Sequence, residues 1–230
     1  MSWWPGIGQA LAGASLGYVT VSLAESFLHR NAQHANRKIR AAAKRLGRFA
    51  PMLMRIYVSH AIVHHGKTFR QSHVQLFRDR QEKEALDRWI LTTQGNRLII
   101  DEQYGLTLHR WGVLAFILPV LPLFSLYVLL LPMTAALGAL VFLVIYPLSS
   151  MLLHPYLHMT RAEALARASW PMRLCLQSRY VRFISRHHFL HHRYVHCNYN
   201  LLWLGDFLLG RHRSPSEKDR ADMRGLGMIQ

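Results

Sequence analysis

Residues 111–153 read WGVLAFILPVLPLFSLYVLLLPMTAALGALVFLVIYPLSSMLL, a run of 43 residues without Asp, Glu, Lys or Arg. About 20 apolar residues cross a bilayer as an α-helix, so this run is long enough to cross twice. Pro132 lies near its middle, where proline favours a turn between two helices. The run therefore predicts a membrane hairpin formed by the spans Trp111–Leu131 and Met133–Leu153.

A second uncharged stretch, from Met1 to Ala24, predicts another span that ends near Phe27. Trp3 and Trp4 lie at its start, as is typical of residues at a membrane boundary. Its glycines lower helix propensity but allow a second helix to approach closely. No positive side chain precedes the apolar residues, which favours a retained span over a secretory signal.

The segment Phe49–Val63 is also apolar, but Arg55 and His60 interrupt it and it is too short to cross a bilayer. We therefore expect a half-buried or re-entrant helix there. Together these segments predict an all-α fold, an integral membrane helical bundle of about three spans. A fourth, re-entrant helix and a cytoplasmic, histidine-rich helical cap complete the expected architecture.

The remaining segments are polar. Residues 69–110 predict structure on the soluble side, with a turn at residues 94–96. Residues 161–186 predict one or two amphipathic helices broken near Pro171. We expect one membrane-embedded domain over residues 1–213 and a charged, disordered tail over residues 214–230.

The charge distribution predicts the topology. The chain has 28 Lys and Arg against 12 Asp and Glu, a net charge of +16. Every basic residue lies between Arg30 and Arg110 or between Arg161 and Arg224. With three spans, both segments face the same side, which the positive-inside rule makes cytoplasmic, and the N-terminus lies outside. Topology and attraction to anionic head groups explain the charge, so we expect no nucleic-acid partner.

The histidines are clustered. Ten of the 15 fall in four short groups, or boxes, each next to a predicted span or in a basic segment. Residues three or four apart share a helix face, which suits a common metal ion. Adjacent histidines diverge by about 100°, which suits two neighbouring ions. In order, the boxes are His29-x4-His34, His60-x3-His64-His65, His154-x3-His158 and His188-x2-His191-His192.

Ten imidazoles exceed what one ion can bind, so the boxes predict two metal ions on the cytoplasmic side. An all-nitrogen site for two metals indicates redox chemistry of iron and oxygen more than hydrolysis, for which three ligands and a water suffice. The alternatives are solvated histidines in a basic protein, a membrane haem protein and a non-catalytic metal carrier. His73, His109 and His212 lie outside the boxes and are predicted on the surface. Cys175 and Cys197 are predicted to be free thiols.

The ordered boxes resemble the fatty acid hydroxylase and sterol desaturase superfamily of integral-membrane di-iron oxygenases, over roughly residues 25–210. Glu25-x3-His29-Arg30 resembles the first motif of that family, and Asn198-Tyr199 followed by Asp206-x3-Gly210 resembles its closing motif. The chain departs from the family at Asn200, where glycine is usual, and at Gly205, where an aromatic residue is usual. The resemblance implies metal ligation by His29, His34, His60, His64, His65, His154, His158, His188, His191 and His192.

The resemblance also implies a function. Two iron ions, which zinc can replace in purified protein, would hydroxylate a C–H bond of a fatty acyl or sterol-like lipid with dioxygen. Lipid desaturation and aldehyde deformylation are alternatives within the superfamily. The sequence lacks the Gly-x-Gly-x-x-Gly fingerprint of a flavin or nicotinamide site, so the electrons would come from an external donor such as cytochrome b5 or a ferredoxin. Candidates for contacts around the ligands are Glu25, His187, His196 and Asp206, and His187 is also an alternative ligand to His188.

Overall fold

The computed structural model describes residues 4–47, 50–69, 73–74, 77–95, 97–108, 113–114 and 117–229. Over these ranges the regular secondary structure is helical and no strand is formed. The predicted all-α class is confirmed for this part of the chain.

The helices follow one another through short connections. The α-helices are α1 (Trp4–Leu28), α2 (Arg37–Ala43), α3 (Ala50–Tyr57), α4 (Arg80–Trp89), α5 (Leu98–Asp101), α6 (Leu121–Leu130), α7 (Met133–Leu148), α8 (His154–Leu157), α9 (Arg161–Arg167), α10 (Trp170–Gln177), α11 (Arg179–Arg193), α12 (Leu204–Leu208) and α13 (Glu217–Gly225). Stretches with the wider π-helical turn are π1 (His29–Gln33), π2 (Val58–Thr68), π3 (Ile90–Gln94) and π4 (Ser149–Leu153). Each π stretch directly continues an α-helix.

Two continuous helices, Pro5–Gln33 and Met133–Leu157, are long and apolar enough to cross a membrane. They coincide with the first and third predicted spans. Within the predicted span Trp111–Leu131, the structure describes the 10-residue helix α6, which is shorter than the ~20 residues of a full crossing. Residues 111–112 and 115–116 of that span lie outside the described ranges. Pro132 separates α6 from α7, so the predicted turn between the two helices is confirmed.

Helices α1 and α7 approach closely because glycines lie at their contact. A Cβ atom on Gly13 of α1 would overlap the backbone of Ala135, and one on Gly17 would overlap that of Ala139. The predicted role of these glycines in close helix packing is thereby confirmed.

The outer surfaces of α6 and α7 are apolar. Leu129 and Leu130 of α6 are 78% and 76% exposed, and Leu137 and Val144 of α7 are also more than half exposed. A continuous exposed surface of this kind marks contact with lipid or with another protein. It lies on the segments that the hydropathy of the sequence assigns to the membrane.

The predicted re-entrant segment Phe49–Val63 forms one helix, α3 followed by π2, that extends to Thr68. Phe49 itself lies outside the described residues. The turn predicted at residues 94–96 is present at Gly95, which adopts a left-handed conformation with φ of +59°. Asn96 lies outside the described residues.

The segment from residue 161 onward, for which one or two amphipathic helices were predicted up to residue 186, contains the three helices α9, α10 and α11. Pro171 lies in the first turn of α10, so the predicted break near this residue is confirmed. A second break lies at Ser178, whose side chain caps α11 by accepting a hydrogen bond from the Val181 N–H. Helix α11 then continues to Arg193 and carries the last histidine box.

The charged segment after residue 214 is not the disordered tail that we predicted. Ser216 caps helix α13 in this segment, and Met223 of α13 is fully buried. Met223 packs in a core cluster with Phe189 and Leu190 of α11. The prediction was wrong because it rested on the mainly polar composition of this segment. The few apolar residues of the segment pack against α11 and hold it in place.

Candidate metal centre

The ten box histidines converge in one buried centre. Their ligand atoms form two groups, of which the first has all its ligand atoms within 4.8 Å of one another. In the second group, the ligand atoms of four histidines also lie within 4.8 Å of one another. The fifth, His154, belongs to this group because its Nε2 lies 3.2 Å from Nε2 of His188. The first group is His29, His34, His60, His65 and His191, and the second group is His64, His154, His158, His188 and His192.

The π-helical turns explain the spacing of the first two boxes. Histidines five residues apart do not share a face of an α-helix, but an i→i+5 hydrogen bond brings them together. The His34 N–H donates such a bond to the His29 carbonyl over 2.9 Å, and the two rings stack with planes 8° apart. The π1 turn therefore brings the two histidines of this box together.

The same geometry changes the pairing in the second box. The sequence predicted that His60 and His64 point together, as on an α-helix. In π2, His60 instead joins His65 in the first group, with their Nε2 atoms 3.1 Å apart. His64 enters the second group, where its Nε2 lies 3.2 Å from Nε2 of His192. The predicted divergence of His64 and His65 toward two sites is retained.

The third and fourth boxes lie on α8 and α11. His154 begins α8 with Pro155 next to it, and His158 follows one turn later. On α11, His188 and His192 enter the second group while His191 enters the first. Helix α11 therefore lies between the two groups and contributes to both.

Hydrogen bonds to backbone carbonyls orient several rings. The Nδ1–H groups of His154 and His158 donate to the carbonyls of Leu106 and His73, over 3.1 and 2.8 Å. His191 donates in the same way to the Cys197 carbonyl over 2.9 Å. A neutral imidazole with its proton on Nδ1 presents a lone pair at Nε2, which is the form that binds a metal.

Burial keeps these rings neutral. Desolvation lowers the pKa of His34 to about 4, and the pKa values of His60, His64 and His65 well below the ordinary histidine value. Neighbouring imidazoles lower them further, because a second positive charge in the same place is unfavourable. The pKa values of His158, His188, His191 and His192 are lowered for the same reasons.

The distances within the groups fit bound cations. The Nε2 atoms of His154 and His158 both carry lone pairs and lie 3.3 Å apart, so they cannot hydrogen-bond to each other. Two such acceptors repel unless a cation lies between them. An ion at ~2.0–2.1 Å from its nitrogen ligands places neighbouring ligands roughly 2.9–3.4 Å apart. The close Nε2 pairs, at 2.8 to 3.3 Å, are at or near this range.

The candidate supporting residues hold the centre in different ways. The Glu25 carboxylate accepts hydrogen bonds from the N–H groups of Leu201 and Leu202, so it ties α1 to the loop before α12. Glu25 was predicted to contact a ligand, whereas these bonds join it to the backbone. His196 is exposed and lines a surface groove rather than the interior of the centre.

Asp206 joins three segments from a fully buried position. Its carboxylate accepts hydrogen bonds from Ser26 Oγ at 2.6 Å, from the Asn200 N–H at 2.8 Å and from His187 Nε2 at 3.0 Å. His187 is therefore engaged by Asp206, and His188 rather than His187 enters the second group. These contacts give Asp206 a structural role, because they join α1, α11 and the segment before α12.

The residues of the closing motif fix the loop that supports His191. Asn198 adopts a left-handed conformation with φ of +55°, and its side chain bonds to the backbone of Arg213 in both directions. Asn200 donates to the Ser22 carbonyl over 2.6 Å, and a Cβ atom on Gly205 would overlap the same carbonyl. Both departures from the family pattern thus lie where this loop contacts α1.

His73 was predicted on the surface and is buried instead. Its carbonyl accepts the Nδ1–H of His158, and its ring lies 4.9 Å from the His158 ring. Its Nε2–H donates to the Leu157 carbonyl over 2.6 Å. A single histidine outside any box carries no spacing signal, so no pattern in the sequence indicates that His73 is buried. His212 is partly buried and stacks on His187, whereas His109 lies outside the described residues.

A cavity of about 90 Å³ reaches both histidine groups. Among its lining residues are His60 of the first group and His188 of the second. Ile56 contributes apolar surface, and an ion pair between Arg55 and Glu102, 3.3 Å apart, adds a charged wall. A small group in this cavity would lie next to both candidate metal sites at once.

Comparison of the chain with family models, with curated proteins and with solved structures gives no match. The likeness to the fatty acid hydroxylase and sterol desaturase superfamily consequently rests on the histidine boxes and their flanking residues.

Proposed function

We propose that this chain is a membrane-bound, non-haem di-iron oxygenase that hydroxylates a C–H bond of a lipid, using dioxygen and electrons from an external donor. The observation that carries the proposal is the pair of adjacent groups of five imidazoles, of which all but His34 and His192 are buried and these two are partly buried. Their close Nε2 contacts and carbonyl-bonded Nδ1 atoms support metal ligation.

The donor set favours iron over zinc. A structural zinc ion takes four ligands and a catalytic one usually takes three, whereas each group offers five imidazoles. Imidazole also suits copper and nickel, so the choice of iron rests on the paired arrangement and on the resemblance of the boxes. When bound, the two irons would supply the reduction of dioxygen and the oxidation of the C–H bond.

The protein itself would orient the ligands and exclude water. Three ligand rings are fixed by the hydrogen bonds that their Nδ1–H groups donate. The acceptors are the backbone carbonyls of Leu106, His73 and Cys197. The burial of the centre removes competing water from the imidazole nitrogens. The cavity would hold the reacting part of the substrate against both groups, since its volume is too small for a whole lipid.

Membrane insertion would bring the lipid to this centre. Two helices of sufficient length, with the apolar surface of α6 beside them, support insertion. His29 and His154 lie near the C-terminal ends of those two helices, at the same end of the bundle. We infer from the basic segments that this end is cytoplasmic and that the N-terminus lies outside. Cytochrome b5 or a ferredoxin would then reach the centre from the cytoplasm.

The test uses the full-length chain expressed in cells, with lipids compared by mass spectrometry under ¹⁸O₂. We expect a lipid that carries one ¹⁸O atom in cells with the wild-type chain and not in cells with His191→Ala. His196→Ala is the matched control, because this histidine is exposed and outside both groups.

The products distinguish the alternatives. A new alkene without ¹⁸O would identify a desaturase, and a shortened hydrocarbon would identify deformylation. If the purified protein shows a Soret band, or if the labelled lipid persists in His191→Ala, the di-iron oxygenase proposal is wrong.

A further inference from the structure

Four arginines surround a surface groove on the side of α11 that faces away from the histidine groups. The groove has a volume of about 440 Å³ and is lined by Arg161, Arg179, Arg182, Arg186 and the backbone turn at residues 227–229. It is formed where the start of α9, the first half of α11 and the segment after α13 meet. Three separate segments therefore shape it.

The spacing on α11 directs the arginines together. Arg179, Arg182 and Arg186 are three and four residues apart and share one helix face. With about 100° per residue, His188 and His191 lie on the opposite face. One helix thus presents metal ligands to the interior and guanidinium groups to the groove.

The arginines of the groove lack an acidic partner in the part of the chain that the structure describes, which ends at residue 229. Within the described ranges, none of the four forms an ion pair with a carboxylate. Arg161 is held in place by donating from Nη1 to the Leu176 carbonyl over 3.3 Å. Four guanidinium groups without a carboxylate partner among the described residues repel one another around this concavity, so an anion in the groove would stabilise the arrangement.

The shape of the site favours a small anionic group over a protein. A protein partner needs a surface of roughly 800 Å² on each side, whereas a groove of this volume is in the range of ligand pockets. Guanidinium groups bind phosphate oxygens in a bidentate manner, which suits a phosphate in particular.

Apolar features adjoin the groove. A slot lined by Met159, Leu165 and Leu176 shares Arg161 and Arg182 with it. The helix that precedes α11 exposes two apolar side chains four residues apart, Trp170 at 73% and Leu174 at 52%. Tryptophan and leucine on a short helix flanked by arginines are typical of a segment at the membrane interface.

We infer that the groove binds the phosphate group of an anionic membrane lipid, with the first carbons of its chain in the adjoining slot. The site lies outside the cavity next to the histidines, and its occupant is not the substrate of the proposed reaction. The inference holds whether or not the chain is an oxygenase, because it rests on the arginines, the slot and the exposed apolar side chains of α10.

The test titrates the purified full-length chain in detergent with short-chain phosphatidylglycerol, phosphatidylcholine or inorganic phosphate. Thermal stability and native mass spectrometry report binding. We expect phosphatidylglycerol to bind and stabilise, and inorganic phosphate to bind more weakly because it has no chain for the slot. Phosphatidylcholine should bind least, since its choline places a positive charge near the arginines.

The variant Arg179→Gln/Arg182→Gln should weaken phosphatidylglycerol binding by about tenfold or more, as expected when hydrogen bonds to a charged group are lost. Lys38→Gln/Arg45→Gln removes the same charge from exposed positions outside the groove and should leave binding unchanged. Arg182→Lys keeps the charge but not the bidentate geometry, so it should weaken binding as well.

Several results would overturn the inference. Equal binding of phosphatidylcholine and phosphatidylglycerol would exclude a phosphate-specific lipid site, and equal stabilisation by inorganic phosphate would show a site for free anions. If the double variant binds phosphatidylglycerol normally but no longer binds an acidic carrier such as cytochrome b5, the surface docks a protein.

Discussion

The rings of His65 and His192 stack face to face, with centroids 4.1 Å apart and planes 16° apart, although they belong to different histidine groups. His65 comes from π2 and His192 from α11. The two candidate metal sites are thus in direct contact through a pair of their own ligands.

The two adjacent histidine groups predict how many metal ions the protein holds. The wild-type chain, purified without oxygen, should hold about two metal ions, because ten imidazoles serve two sites. His191→Ala and His188→Ala each remove a ligand from one group and should each lower the content toward about one ion. Metal analysis of the purified variants measures this, with His196→Ala as the control. A wild-type content of one ion or none would contradict the arrangement in two sites.

The contact between α1 and α7 predicts opposite effects of two similar substitutions. Gly17→Ala should lower the free energy of unfolding by about 1–3 kcal/mol, because the added methyl group overlaps the backbone of Ala139. Gly8→Ala lies on the same helix with open space around it, and should raise the stability by up to ~1 kcal/mol through helix propensity. Thermal unfolding in detergent compares the two. If both variants change stability in the same direction, the helices do not cross at Gly17.

The contacts of Asp206 predict a large loss of stability. Asp206→Ala leaves the Ser26 hydroxyl, the Asn200 N–H and His187 Nε2 buried without their acceptor. We expect a loss of about 2–4 kcal/mol, since each unsatisfied buried group costs about 1–3 kcal/mol and the protein relaxes in part. Asp222→Ala is the control, because its ion pair with Arg193 is half exposed and contributes at most about 1 kcal/mol. Equal effects of the two variants in thermal unfolding would argue against the role of Asp206.

Burial of the histidines predicts that the metal-free protein is unstable in acid. The pKa values of His34 and His73 are lowered from 6.5 to about 4 in the fold. Below about pH 6.5 the unfolded chain therefore binds protons that the folded chain does not, and stability falls as the pH decreases toward about 4. The melting temperature of metal-depleted protein, measured from neutral pH downward, should decrease over this range.

A variant checks the origin of that pH dependence. His73→Gln removes one titrating group while keeping a side chain that can donate to the Leu157 carbonyl. Its melting temperature should depend less steeply on pH between about 6.5 and 4 than that of the wild type. A wild-type melting temperature that rises on acidification would contradict the lowered pKa values.

The amino-acid sequence by itself determined the helical class, the position of two long apolar helices and the set of ten converging histidines. These properties are local, because hydropathy follows from composition and the spacing of His188 and His192 follows from the turn of an α-helix. The divergence of His64 and His65 was also predictable, since adjacent residues point in different directions in any helix.

Only the tertiary structure decided which side chains contact one another. The π-helical turn pairs His60 with His65 rather than with His64, and a wider turn leaves no periodic signal in a stretch of this length. Glu25 meets Leu201 across 176 residues of sequence, and His73 is buried by contacts with His158. Such contacts depend on which helices pack together, so no local pattern of residues specifies them.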